Sequence, residues 1–191
     1  VRWYLLKDIS LGSDGDFQDR RFVDIINNDL ANTIGNLLNR TITMSRKWFN
    51  NQTPSIRERN NSEIITLANN SIKNYLVYFD NYKIDKASNE ILNFATNVNL
   101  YLNKKEPWSL IKDDKNINEV KLIIYNVLEA TRIIGTLIEP VLPQFSLKIL
   151  HQLGEVDIDN KDWEERLKWG LLQESIDLPK PIPIINKLDY E

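Results

Sequence analysis

Three side chains in this 191-residue chain have the chemistry to read an unpaired nucleic-acid base: Asn36, Arg40 and Trp108. An asparagine amide offers a donor and an acceptor side by side, matching a base edge, and a guanidinium forks onto base oxygens, ring nitrogens or phosphate. Asn36 and Arg40 lie four apart in "GNLLNR". At about 100° per residue of helix they fall beside each other on one edge of an apolar stripe. Thr43 and Lys47 continue that edge. Trp108 follows Pro107 in "NKKEPW". The proline is expected to end a helix, a place where an indole can stand exposed and stack on a base for ~1–3 kcal/mol. Arg46, Lys47, Lys104 and Lys105 are candidate contacts for a sugar–phosphate backbone. Together these groups are suited to single-stranded RNA. The residue types leave a second set of roles open, in which Asn36 bonds a neighbouring helix, Arg40 pairs with a carboxylate and Trp108 caps the core.

Catalytic chemistry finds little to work with. The sole histidine, His151, has no cysteine anywhere to pair with and reads as structural or surface. "GSDGDF" lacks the Lys and Ser/Thr of a phosphate loop. The pairs Asp113–Asp114 and Glu164–Glu165 read as solvated faces. Without cysteine there are neither disulfides nor thiolate metal sites, and a cytoplasmic protein is the simpler expectation. The net charge of −3 argues against a broadly basic nucleic-acid coat but leaves room for a local basic patch. No apolar run approaches the ~20 residues that span a bilayer. "VRWYLLKDIS" opens inside an amphipathic pattern and reads as the cut edge of something longer.

Helices must position these groups. The stripe Phe22, Ile26, Leu30, Ile34, Leu37, Thr41, Met44 and Trp48 predicts one long helix over about 18–50, stopped before Pro54. Further helices are predicted over about 62–79, 86–103 and 117–138, the last stopped by Pro140. "PQFSLKILHQLG" predicts a short fifth helix closed by Gly154. Beyond it, "LPKPIPII" favours an extended strap on the bundle. No strand alternation persists. The expected fold is all-α, a bundle of about five helices with an extended proline-containing tail.

In sequence order, five blocks resemble the C-terminal, anticodon-binding part of methionyl-tRNA synthetases, which are class I aminoacyl-tRNA synthetases. "VRWYLLKDISLGSDGDF" is similar to the segment that joins the catalytic domain to the bundle. "NDLANTIGNLLNR" carries the family's Asn-Leu-x-x-Arg, and "NLYLNKKEPW" its Asn-x-Tyr, five residues, Pro-Trp. "LIEPVLPQFSLKILHQLG" and the ending "WGLLQESIDLPKPIPIINKLD" resemble the family's spaced prolines and closing tail. The resemblance implies that Asn36, Arg40 and Trp108 recognise the CAU anticodon of methionine tRNA. It also implies a parent methionine–tRNA ligase using ATP and Mg, and a catalytic domain N-terminal to this chain as its partner. No metal or cofactor is expected in these residues, nor any catalysis by them alone. One departure stands out: where many members carry an acidic residue five before the tryptophan, placed to disfavour wrong anticodons, this chain has Asn103. The implied organisation is a connecting remnant at 1–17, the bundle at 18–175 and a packed tail at 176–191. Two rivals remain at this point: the bundle of a leucine, valine, isoleucine or cysteine synthetase, and a helical protein–protein module.

Overall fold

The computed structural model describes residues 1–57, 63–156 and 161–189. Among these the regular structure is helical, and the single β-bridge joins Gln52 to Asp177. The α-helices are α1 (Arg2–Asp8), α2 (Asp19–Ile25), α3 (Asn36–Trp48), α4 (Glu63–Asp80), α5 (Ile84–Lys105), α6 (Pro107–Leu110), α7 (Ile117–Ile138) and α8 (Pro143–Gln152).

The middle of the bundle is α7, buried continuously from Ile123 to Ile138 and packed by α3, α4, α5, α6 and α8. A helix that is apolar nearly all round has no solvent face to offer, so the others surround it. Its bounds are those expected from periodicity, and α8 closes on Gly154 with φ 78°, as expected of a C′ glycine. The start expected for α4, at residue 62, lies outside the described residues.

The long helix expected over 18–50 is not uniform. Between α2 and α3 the chain runs as a ten-residue π-helix, Ile26–Gly35. The dihedrals at its edges remain right-handed helical, so the chain continues without a break while its turns widen. Ile26, Leu30 and Ile34 still face the core. The Thr33 hydroxyl donates to the Asn28 carbonyl, five residues back, at 2.7 Å. Pi segments are concentrated at functional sites, and this one delivers the chain directly to Asn36.

The tail is tied down along its length. Glu129, buried in α7, accepts from Nε and Nη2 of Arg132, each at 2.8 Å, and from the backbone N–H groups of Gly170, Leu171 and Leu172. Arg132 in turn donates to the carbonyls of Arg166 and Lys168. Burial by itself would pull the Arg132 guanidinium down, but the Glu129 carboxylate outweighs it and holds it above its usual value. Further on, Thr53 pairs with Ser175 and Ile176, and Asn51 accepts from Leu178. The Gln152 amide both donates to and accepts from Ile182, and Asn27 does the same with Leu188. These two amides hold the strap as a neighbouring strand would.

Candidate nucleic-acid interface

The segment that carries Trp108 is built by a sharp reversal. Helix α5 ends at Lys105, Glu106 adopts the left-handed region with φ 43°, and Pro107 opens α6 at its first position. Proline suits that position, since the N–H it lacks would have no intrahelical partner there. The expectation that Trp108 stands exposed after the end of a helix is therefore corrected: it lies inside α6 and is half-buried, with part of the indole packed against the core. The packed part fixes the ring, and the remainder faces solvent.

Arg40 reaches this ring from α3. Its guanidinium carbon lies 5.9 Å from the Trp108 ring centroid, and its Nη2 donates to the Asn103 side-chain oxygen at 3.2 Å. Residues 63 and 68 positions apart thereby meet, with Asn103 supplying a neutral acceptor between them. Asn36, one turn back on α3, is exposed, and its side chain makes no hydrogen bond among the described residues.

The expected backbone cations divide. Lys47 is exposed on the same α3 edge as Arg40. Lys104 lies 3.3 Å from Glu63, with both side chains about two-thirds exposed, and Lys105 approaches the Tyr101 ring at 5.9 Å. Arg46 is turned the other way. Its guanidinium donates to the Leu178 carbonyl and ties α3 to the tail. His151 is exposed in α8. Among the described residues no group of three His, Cys, Asp or Glu side chains could hold a metal ion, and no helix is long and apolar enough to cross a membrane.

Two further residues brace these elements; both lie in the motif blocks, Asn99 as the Asn of Asn-x-Tyr, but their partners are not legible there. Asn99 of α5 donates to the Ala95 carbonyl at 3.0 Å and, at 3.4 Å, to the Thr33 carbonyl of the π-segment. Asp29 accepts from the Trp3 indole at 2.9 Å and pairs with Lys7 at 3.0 Å, fastening α1 to the same segment. Both partners are remote in sequence, and neither pairing has a local signature.

An arginine poised over a half-buried tryptophan at one end of a helical bundle is the arrangement against which known proteins can be compared. A family model described as the anticodon binding domain of methionyl tRNA ligase matches residues 53–187, about 70% of the chain. The chain belongs to the methionyl-tRNA synthetase family. A second family model, for class I tRNA synthetases (M), matches residues 1–42. The methionine–tRNA ligase of Caldanaerobacter subterraneus subsp. tengcongensis is 34% identical over 193 residues, covering 100% of this chain and 30% of that protein. The Nostoc sp. enzyme is 34% identical over 197 residues, covering 99% of this chain and 37% of its own length. The chain thus spans about a third of these relatives. Among solved structures, free-state methionyl-tRNA synthetase of Mycobacterium tuberculosis superposes with a TM-score of 0.90 at 27% identity, over 100% of this chain and 39% of that one. The same enzyme bound by methionyl-adenylate gives 0.87 at 28%, over 96% and 36%. The synthetase match ends within α3 and the anticodon-domain match begins beyond it, at residue 53. Asn36 and Arg40 fall under the synthetase match and Trp108 under the anticodon-domain match, so the cluster straddles both.

Proposed function

We propose that this chain is the part of a methionine–tRNA ligase that reads the CAU anticodon of methionine tRNA, in the cytoplasm. Its parent, with ATP and Mg, would attach methionine to the distant acceptor end through a catalytic domain joined to α1. The observation that carries this reading is the meeting of Arg40 with Trp108. The exposed part of the indole offers a face to a splayed anticodon base, and the guanidinium lies within reach of that base's edge or its phosphate. Binding would exchange the neutral Asn103 acceptor on Arg40 for an RNA oxygen, so no ion pair has to be broken. Asn36, exposed one turn away, presents its amide to a neighbouring base edge. Lys47, Lys104 and Lys105 supply phosphate contacts. Arg46 is left out, since its guanidinium already serves the tail.

The test is a titration of the chain with anticodon stem-loops at low salt, followed by tryptophan fluorescence. Quenching is expected with a CAU loop and little with GAU or CAC loops. Trp108→Ala should weaken the CAU complex by ~1–3 kcal/mol with the helical signal intact. Equal binding of all three loops, or an unchanged affinity in Trp108→Ala, would remove these residues from anticodon reading.

A further inference from the structure

A cleft of about 370 Å³ lies beside Asn36, between the π-segment with the start of α3 on one side and tail residues Pro183–Lys187 on the other. Its volume is within the roughly 300–1,000 Å³ of pockets that bind small ligands. The lining chemistry is unusual for a gap between helix and strap. It carries the four side-chain amides of Asn32, Asn36, Asn39 and Asn186, one cation, Lys187, and no carboxylate. The side chains of Asn36, Asn186 and Lys187 make no hydrogen bond or ion pair among the described residues. The floor is Gly35, where an added Cβ would come within 3.0 Å of the Leu30 carbonyl and 3.5 Å of Ile184. Glycine therefore suits the close approach of the tail at this point.

The tail wall is held in place from both ends. Gln152 grips Ile182 through paired hydrogen bonds of 2.9 and 3.0 Å, and Asn27 grips Leu188 through a pair of 2.8 and 2.9 Å. Between the grips, Ile184 is buried as an anchor while Asn186 and Lys187 remain exposed. A strap whose only task was to cover the bundle would have no need to set two unpartnered polar side chains opposite an unpartnered Asn36.

We propose that this cleft is a second nucleotide subsite, which seats an unpaired nucleotide of the same RNA loop that lies outside the anticodon. The proposal rests on the anticodon-reading function above and adds the tail to the RNA-binding surface. Amides both donate and accept, so the asparagines can meet a base edge. Lys187, with no acid among its neighbours in the lining, meets the nucleotide's phosphate. Asn36 borders both sites and makes the surface continuous from Trp108 to Lys187.

The test uses the 191-residue chain and CAU stem-loops in which each loop nucleotide outside the anticodon is made abasic in turn. The double variant Asn186→Ala/Lys187→Ala changes exposed, unbonded side chains, so its melting temperature should match wild type. It should bind the intact loop roughly tenfold more weakly. One abasic loop should show a comparable loss with the wild-type chain and little further loss with the double variant. Trp108→Ala is the control arm. If Trp108→Ala weakens binding while the tail variant binds as wild type, the subsite is wrong and the anticodon reading stands. If the tail variant loses the same factor against every abasic loop, Lys187 acts only as a diffuse charge and the subsite is again wrong. A wild-type chain that binds no stem-loop overturns both.

Discussion

Asn103 leaves the charge of the Arg40–Trp108 cluster, the proposed anticodon site, uncancelled. As a neutral acceptor 3.2 Å from the Arg40 guanidinium, it orients the fork without cancelling its charge. Asn103→Asp would turn this contact into an exposed ion pair, worth on the order of 1 kcal/mol, and would set an anion where RNA approaches. We expect the variant to bind a CAU stem-loop several-fold more weakly and mismatched loops more weakly still, since a correct anticodon recovers contacts that a wrong one does not. Equal affinities for wild type and variant, measured side by side at low salt, would mean that Asn103 does not face the RNA. The residue scale is also where sequence reading had mixed success. The shared helix edge of Asn36 and Arg40 could be read from their spacing of four. The half-burial of Trp108 could not, because it depends on Pro107 starting a helix after the left-handed Glu106 instead of merely ending one. The tie from Arg46 to Leu178 spans 132 residues and leaves no local trace.

Among the elements, α7 was the most legible, because a run of apolar residues bounded by Asn116 and Pro140 leaves periodicity little to confuse it. The π-segment went unseen although a signal existed. Phe22, Ile26, Leu30 and Ile34 are spaced by four throughout, where a 3.6-residue period would mix threes and fours. Two predictions belong to the elements. Glu129→Gln keeps the side chain's shape but leaves the buried Arg132 guanidinium without its counter-charge. It should lower stability by about 3–5 kcal/mol in urea unfolding followed by tryptophan fluorescence. A loss below about 1 kcal/mol would mean that solvent reaches the pair. The second concerns the approach of α1 to α2, where Arg21 holds Asp8 through two hydrogen bonds of 2.6 and 2.7 Å. The hydrogen bond from Arg21 keeps this carboxyl below its usual value, against a smaller opposing effect of burial. A carboxylate depressed in the folded state adds stability above its unfolded pKa and loses it as pH falls through the folded value. Melting temperatures measured from neutral pH downward should therefore fall less steeply in Asp8→Asn than in wild type below the ordinary carboxylate range. Parallel curves would show that the pair contributes nothing.

At the scale of the whole molecule, the ties form a single chain of support. Trp3 and Lys7 fasten α1 to Asp29 of the π-segment, that segment runs into Asn36, and the tail returns through Gln152 and Asn27 to close the cleft beside it. The proposed RNA surface is thus carried by packing, with few charges: the chain bears −3 overall, Lys104 sits beside Glu63 and Arg46 is committed to the tail. That distribution makes a quantitative demand on binding. A coat of basic residues would release many counterions, whereas here Lys104 is offset by Glu63, and Arg40, Lys47, Lys105 and Lys187 can neutralise about three or four phosphates between them. At about 0.7 per phosphate for single strands, the logarithm of the association constant for a CAU stem-loop should fall against the logarithm of salt with a slope of about −2.1 to −2.8. Lys187→Ala should then reduce the slope by about 0.7, because the proposed subsite sets it against a phosphate. A wild-type slope steeper than about −4 would mean that affinity comes from a broad phosphate contact that this acidic chain does not visibly offer. In that case the stacking and amide contacts around Trp108 and Asn36 would not be the source of binding.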